Sequence, residues 1–230
     1  MSALYVYEDH AVIGRRLPEF EEAYRERWLP ALSASGAGKL VYYFDRLLGE
    51  AHHVVTISAV ADGASFEAFT AETQSGKLNE VAEELTLLRY SVSGKLLSPV
   101  PWSPAVDLAE VPAGAGAGEV SVFLENIAWP DRPINDFIDN LGASYEKLWS
   151  NPSGAPPPVQ LVGAFRTATP GSRPQMTVLQ RLADPIGFLG NIVVKLPPDH
   201  PIEQAKAAGL QNRDRFWSNL LMTSTWSPCR

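Results

Sequence analysis

At 230 residues, 45% hydrophobic and 20% charged, the chain is long and apolar enough to bury a core, which excludes the disordered, collagen-like and disulfide-framework classes. A net charge of −7, with Arg15-Arg16 the longest basic run, excludes a nucleic-acid surface and argues against an anionic membrane face. The single Cys229 cannot close an internal disulfide, no apolar run approaches the ~20 residues that span a bilayer, and no signal-peptide core precedes Glu8, so a cytoplasmic protein is expected.

The first element is LYVYEDH (4–10), extended by its alternation, and a loop signal follows at Gly14. In LPEFEEAYRERWLPAL the residues Leu17, Phe20, Tyr24 and Trp28 recur at helical spacing. KLVYYFDRLL (39–48) and HHVVTISAV (52–60) read as a hairpin across Gly49-Glu50-Ala51. Helical material follows with a break near Ser75-Gly76, and VSGKLLSPVPW returns to extended chain, giving β-α-β-β-α-β.

The order then repeats from Glu119. Val6 is matched to Val122, Phe20 to Phe137, Tyr24 to Tyr145, Trp28 to Trp149, Leu40-Val41 to Leu161-Val162, Phe44 to Phe165, and Trp102-Ser103-Pro104 to Trp226-Ser227-Pro228. The expected organisation is a first repeat at 1–104, a Gly/Ala/Pro linker at 105–118 and a second repeat at 119–230. The linker lacks the Lys-Ser/Thr spacing of a phosphate loop.

A β-α-β-β-α-β unit is ferredoxin-like, an antiparallel sheet with two helices on one face. Leu40-Val41-Tyr42-Tyr43-Phe44 is apolar at both parities, so the second face also requires cover. The fold class expected is α+β: two tandem ferredoxin-like units packed sheet to sheet as an intrachain pseudo-dimeric barrel. The duplicated unit, the YEDH strand leading into a Phe/Tyr/Trp helix, and LLSPVPWSP resemble the dimeric α+β barrel superfamily and its NIPSNAP-like branch. That resemblance implies an interior between the sheets that holds small apolar or aromatic ligands. It is similar to a superfamily that includes cofactor-independent monooxygenases, isomerases and decarboxylases, haem enzymes and proteins without known activity.

Alternation puts Leu4 and Val6 on one face of the first strand, and Tyr5, Tyr7 and Asp9 on the other. In the second copy Val120 and Val122 oppose Ser121, Phe123 and Glu125. The purely apolar faces are expected to meet the helices. Asp9 and Glu125 then become pseudo-symmetric carboxylates suited to proton transfer, because desolvation raises a carboxyl pKa towards working pH; solvated strand ends are the alternative. His10, matched to Asn126, is the histidine expected at that rim and suits general-base work; an exposed histidine without a role is the alternative.

His52 and His53 point to opposite faces, so they cannot chelate a metal together and at most one faces the interior. His200 sits in the turn-like PPDHP. With no HxH, HExxH, cysteine cluster or nucleotide fingerprint, no metal and no cofactor are expected. One of Tyr42 and Tyr43 should enter the interior, where the second copy has Gly163 or Ala164 and leaves space. Tyr5, Tyr7, Phe123, that strand tyrosine and Trp217 are the candidate ligand-binding side chains, with core packing the alternative for each. Arg89, Arg166 and Arg181 are candidates for a ligand carboxylate, or surface residues.

Three functions stay open. The first is a small cofactor-independent enzyme that acts on a hydrophobic or aromatic metabolite by proton transfer (an isomerase, lyase or monooxygenase-like reaction), with His10 or Asp9 as base. The second is a noncatalytic binding protein for a small apolar ligand, and the third a structural or interaction protein with a packed barrel. The partners expected are that small molecule and a second copy in a homodimer, without nucleic acid or membrane.

Overall fold

The computed structural model describes residues 3–49, 51–149, 159–169, 173–193, 197–199, 203–204, 207 and 212–229. His200 and the side chain of Trp149 lie outside them. Two compact units are present: residues 1–99, 105–121 and 220–230 form the first, and residues 100–104 and 122–219 the second. The first unit therefore takes in the end of the second repeat, and the second unit takes in the Trp-Ser-Pro segment that closes the first.

In the first unit, β1 (Leu4–Val12) lies between β4 (Arg89–Pro99) and β3 (His52–Val60), and β2 (Lys39–Arg46) pairs with β3, all antiparallel. The order β4-β1-β3-β2 is that of a ferredoxin-like sheet. A bulge at Val41 breaks the β2–β3 ladder between the Leu40 and Tyr42 pairs, so Tyr42 and Phe44 share the face of Ile57 and Val55.

The first helical segment is α1 (Leu17–Ala23), a π turn (Tyr24–Trp28) and α2 (Leu29–Ser35). Pro30 has no N–H to give Glu26 and its ring would collide with that carbonyl; the wider π turn immediately before it accommodates both defects. Gly36 ends α2 in the left-handed region at φ 67°, where glycine carries no Cβ penalty. Then α3 (Gly63–Ser75) starts on Asp62, whose carboxylate accepts the Ser65 N–H at 2.8 Å, and α4 (Asn79–Leu87) follows the expected break.

Phe20, Tyr24, Trp28, Leu29 and Leu32 from the first helical segment bury against Val12, Leu40, Tyr43, Val54 and Val60 of the sheet. Phe69, Leu78, Val81 and Leu85 complete this core. The opposite sheet face is buried as well, through Tyr5, Tyr7, Tyr42, Phe44, Val55, Ile57 and Leu97. Apolar residues at both parities of these strands thus have the two-sided burial their pattern requires.

In the second unit, β5 (Val122–Pro130) pairs with β7 (Met176–Leu182), and β7 with β6 (Val159–Thr167). With β8 (Arg213–Thr223) the order is β8-β5-β7-β6, the same as in the first unit. α5 (Ile134–Trp149) and α6 (Pro185–Val193) are its helices, and Phe137 and Ile138 bury against Ala128, Ala164, Met176 and Val178. Among the described residues no helix is long and apolar enough to cross a membrane.

The ladders fix how the copies correspond. Tyr7 pairs with Ile57 and Glu125 with Leu179, while Tyr42 and Gly163 face those same partners just after equivalent bulges. Glu125 is therefore the counterpart of Tyr7, not of Asp9. Val6 corresponds to Leu124 instead of Val122, and His10 to Ala128 instead of Asn126.

Candidate functional site

Two polar clusters grow from β1, one on each face, because consecutive strand residues point to opposite sides. The face expected for Leu4 and Val6 is correct: both pack against the helix-side core. The same alternation carries His10 to that side, away from Asp9, which corrects its expected place at a rim.

His10 is fully buried at 0% exposure. Its Nδ1 lies 2.7 Å from an Arg89 amino group, and its Nε2 lies 3.1 Å from Thr56 Oγ1 and 3.2 Å from Tyr24 Oη. A guanidinium can only donate, so Nδ1 carries the lone pair and Nε2 the hydrogen. Phe20 and Tyr24 pack on the ring at centroid distances of 5.3 and 5.7 Å. Burial first, and the charge of Arg89 second, hold the imidazole pKa well below its ordinary value. Burial likewise pushes up the Tyr24 hydroxyl and the Glu8 carboxyl, the latter against the pull of Arg89. His10 is thus a neutral imidazole whose one basic nitrogen is occupied, a framework group beneath the π turn.

On the other face Asp9 divides its carboxylate. Oδ1 accepts from His53 Nδ1 at 2.7 Å, and Oδ2 accepts from the guanidinium of Arg46. Side-chain exposures of 25% for His53, 23% for Asp9 and 14% for Arg46 leave this group half-buried but reachable. The carboxylate fixes the Nδ1–H tautomer of His53, so Nε2 presents the lone pair, as in acid-oriented catalytic histidines. Tyr5, Tyr7 and Tyr42 share this sheet face, with Tyr42 stacked on Phe44 at 5.0 Å and Lys95 Nζ 4.2 Å above the Tyr7 ring. His52 takes the other side of β3, beside Gly14, as the alternation requires.

The remaining candidates are spread over both units. Tyr43 lies on the helix side between Tyr24 and Trp226, at 5.6 and 4.6 Å. Phe123 and Glu125 are buried in the second unit, where Asn219 donates to Glu125 Oε2 at 2.7 Å and Oε1 has no partner among the described residues. Trp217 is 48% exposed, and its indole donates to Asn219 Oδ1. The space expected at Gly163 is filled by the ring of Phe165, which lies where a Cβ would project. Arg166 is exposed, and Arg181 donates to Gln160.

Arg46 is the site residue that sequence reasoning passed over. Its signal is positional: Tyr42, Phe44 and Arg46 are successive same-face residues of β2, which ends beside the start of β3 at His52-His53. A separate cavity of about 200 Å³ in the first unit is lined by Leu29, Leu32, Lys39, Leu40, Ala59 and Pro112. Its one acid–base group is Lys39, whose ammonium donates to Val111 O at 2.8 Å.

No family profile matches the chain, and no curated protein sequence matches it. Solved structures do. A candidate monooxygenase from Lactobacillus acidophilus is 8% identical, with a TM-score of 0.58 over 99% of this chain and 98% of that one. An anthrone oxidase-like protein is 10% identical, with a TM-score of 0.61 over 97% and 92%. A NIPSNAP family protein from Agrobacterium tumefaciens is 18% identical, with a TM-score of 0.40 over 44% of this chain and 97% of that one. The repeated β-α-β-β-α-β order, the two β4-β1-β3-β2 type sheets and the full-length likenesses give this chain the fold of the dimeric α+β barrel superfamily.

Proposed function

We propose that the protein is a cofactor-independent enzyme that moves a proton on a small hydrophobic or aromatic molecule, with His53 as the base and Asp9 as the group that orients it. The observation that carries this is the 2.7 Å contact between Asp9 Oδ1 and His53 Nδ1, on a sheet face that also bears Tyr5, Tyr7 and Tyr42. An imidazole held in one tautomer by a carboxylate, with its second nitrogen available, is suited to general-base work near neutral pH. The aromatic character of this sheet face, with Tyr42 stacked on Phe44 beside Tyr7, is in keeping with an apolar, planar ligand. The full-length likeness to a candidate monooxygenase and an anthrone oxidase-like protein supports an aromatic substrate with an acidic C–H.

Anthrone is a direct probe, because its methylene is an acidic C–H on an apolar aromatic frame. Exchange of the methylene hydrogens for deuterium in D₂O, followed by NMR, reads the proton step alone. The protein should accelerate exchange over buffer, and His53→Gln and Asp9→Asn should each slow it by ~10²–10⁴, the usual worth of a general base. Exchange no faster than in buffer, or unchanged in His53→Gln, overturns the assignment. A protein that retains anthrone without accelerating exchange is a binding protein.

A further inference from the structure

We infer that the molecule handled here bears a carbonyl oxygen that becomes anionic as the proton leaves, and that Arg46 is the receptor for that oxygen; this rests on the proton-transfer reading of the same side chains. Arg46 is 14% exposed and has five N–H donors, yet among the described residues its guanidinium donates to a single carboxylate oxygen, that of Asp9, and its Nε is buried without an acceptor. Arg89, by contrast, divides its amino groups between His10 and Thr86. A largely buried guanidinium whose Nε–H meets no acceptor among the described residues is under-satisfied, and planar oxygen acceptors are the chemistry its fork fits.

The charges point the same way. With His53 in the base form the reaction requires, the charges of Asp9 and Arg46 cancel before reaction. In the step itself a C–H bond adjacent to the carbonyl breaks, its electron pair delocalises onto the oxygen as an enolate, and the proton forms a new N–H at His53 Nε2. Nothing else is consumed. The cluster thus passes from neutral to a single positive charge as the substrate passes from neutral to a single negative one. The two oxygens of Asp9 hold the histidine ring and the guanidinium side by side, so both positive charges stand together as the anion forms. The other titratable groups on this sheet face include Tyr5 and Tyr7 of β1, Tyr42 of β2 and Lys95 of β4, whose ammonium covers the Tyr7 ring. The substrate class is therefore an apolar, aromatic carbonyl compound with an acidic neighbouring C–H.

An aromatic carboxylate mimics the anion without reacting. Calorimetric titration of the full chain with 2-naphthoate and with 2-naphthamide, in two buffers of different ionisation enthalpy, tests both charge and proton. Naphthoate should bind at least ~10-fold more tightly than the amide, the worth of one charge-assisted hydrogen bond. Its binding should take up a proton in wild type and not in His53→Gln. Arg46→Gln should abolish the preference, and Arg46→Lys, which keeps the charge but loses the fork, should retain part of it. Equal affinity for the two probes, no binding of either, or an undiminished preference in Arg46→Gln overturns the inference, and the wild-type comparison stands even if a variant does not fold. Naphthoate binding through Arg46 without anthrone exchange would sink the base assignment of His53 while leaving the oxyanion receptor intact.

Discussion

Ser227 Oγ accepts the backbone N–H of Tyr43 at 3.1 Å across 184 residues of chain. Ser103 Oγ accepts the N–H of Ala164 in the same way at 2.9 Å, and Tyr43 and Ala164 occupy the same place in their strands after equivalent bulges. Each Trp-Ser-Pro segment thus closes the bulged strand of the repeat to which it does not belong. The neighbouring indoles complete the closure: Trp226 donates to Glu21 at 2.7 Å and packs on Tyr43, while Trp102 donates to Ile138 O at 3.0 Å and packs on Tyr145.

The tail is therefore a structural member of the first unit. Trp226 is 4% exposed, and Trp226→Ala should cost ~3–5 kcal/mol as a large-to-small core change. Ser227→Ala should cost ~1–3 kcal/mol by orphaning the Tyr43 N–H. Urea unfolding followed by tryptophan fluorescence reads both, and losses under ~0.5 kcal/mol would mean the tail is a loose end.

In the second unit the corresponding plug depends on Gly142. A Cβ there would stand 2.6 Å from both Cδ1 and Nε1 of the Trp102 indole. Gly142→Ala should displace that ring and destabilise the protein by ~1–3 kcal/mol, the cost of overpacking, despite the better helix propensity of alanine. A stabilised Gly142→Ala would show that Trp102 is not held there.

The strand faces were legible in the sequence, and the correspondence between copies was not, for one physical reason. Side-chain direction in a strand has period 2, so sliding one copy by two residues keeps every residue on its face. Matching Val6 to Val122 or to Leu124 is indistinguishable by pattern, and only the β5–β7 ladder selects Leu124. The same slip made Asn126 look like the partner of His10, where the fold has Ala128. Asp9 was legible as a carboxylate on the face of Tyr5 and Tyr7 because they share its parity. Its partners were not, because Arg46 and His53 lie 37 and 44 residues away and reach it only through the β1–β3 and β2–β3 registers. The Trp-Ser-Pro motif marked the end of each sequence repeat, but a local motif carries no information on which strand it closes.

Asp45 gives a pH dependence of defined sign. Burial, and then the charge of Glu21, raise its carboxyl from 3.8 to about 6, partly offset by His52. Between about pH 4 and 6 the folded chain holds a proton that the unfolded chain has released, so stability falls as pH rises through this window and stays lower above it. Asp45→Asn should therefore stabilise the protein at pH 7–8, by on the order of 1–3 kcal/mol, and have little effect near pH 4. Equal effects at both pH values would show that this carboxyl is ionised in the fold throughout.

His10 contributes with the opposite sign. Burial and Arg89 hold its folded pKa well below 6.5, so the imidazole stays neutral in the fold while the unfolded chain takes up a proton as pH falls below about 6.5. Its contribution to stability is present above that value and is lost progressively on acidification. His10→Ala removes the acceptor of Arg89 and opens a hole beside Phe20 and Tyr24, which should cost ~2–4 kcal/mol at pH 7.5 and less at pH 5.5. The two histidines should also differ in NMR. Long-range ¹H–¹⁵N correlation should find the Nε2–H tautomer in His10, where Nδ1 faces a guanidinium, and Nδ1–H in His53, where Nδ1 faces a carboxylate. If His10 proves to carry its hydrogen on Nδ1, or if His10→Ala leaves stability intact while abolishing proton exchange on anthrone, the framework role passes to His53 and the base is His10 after all.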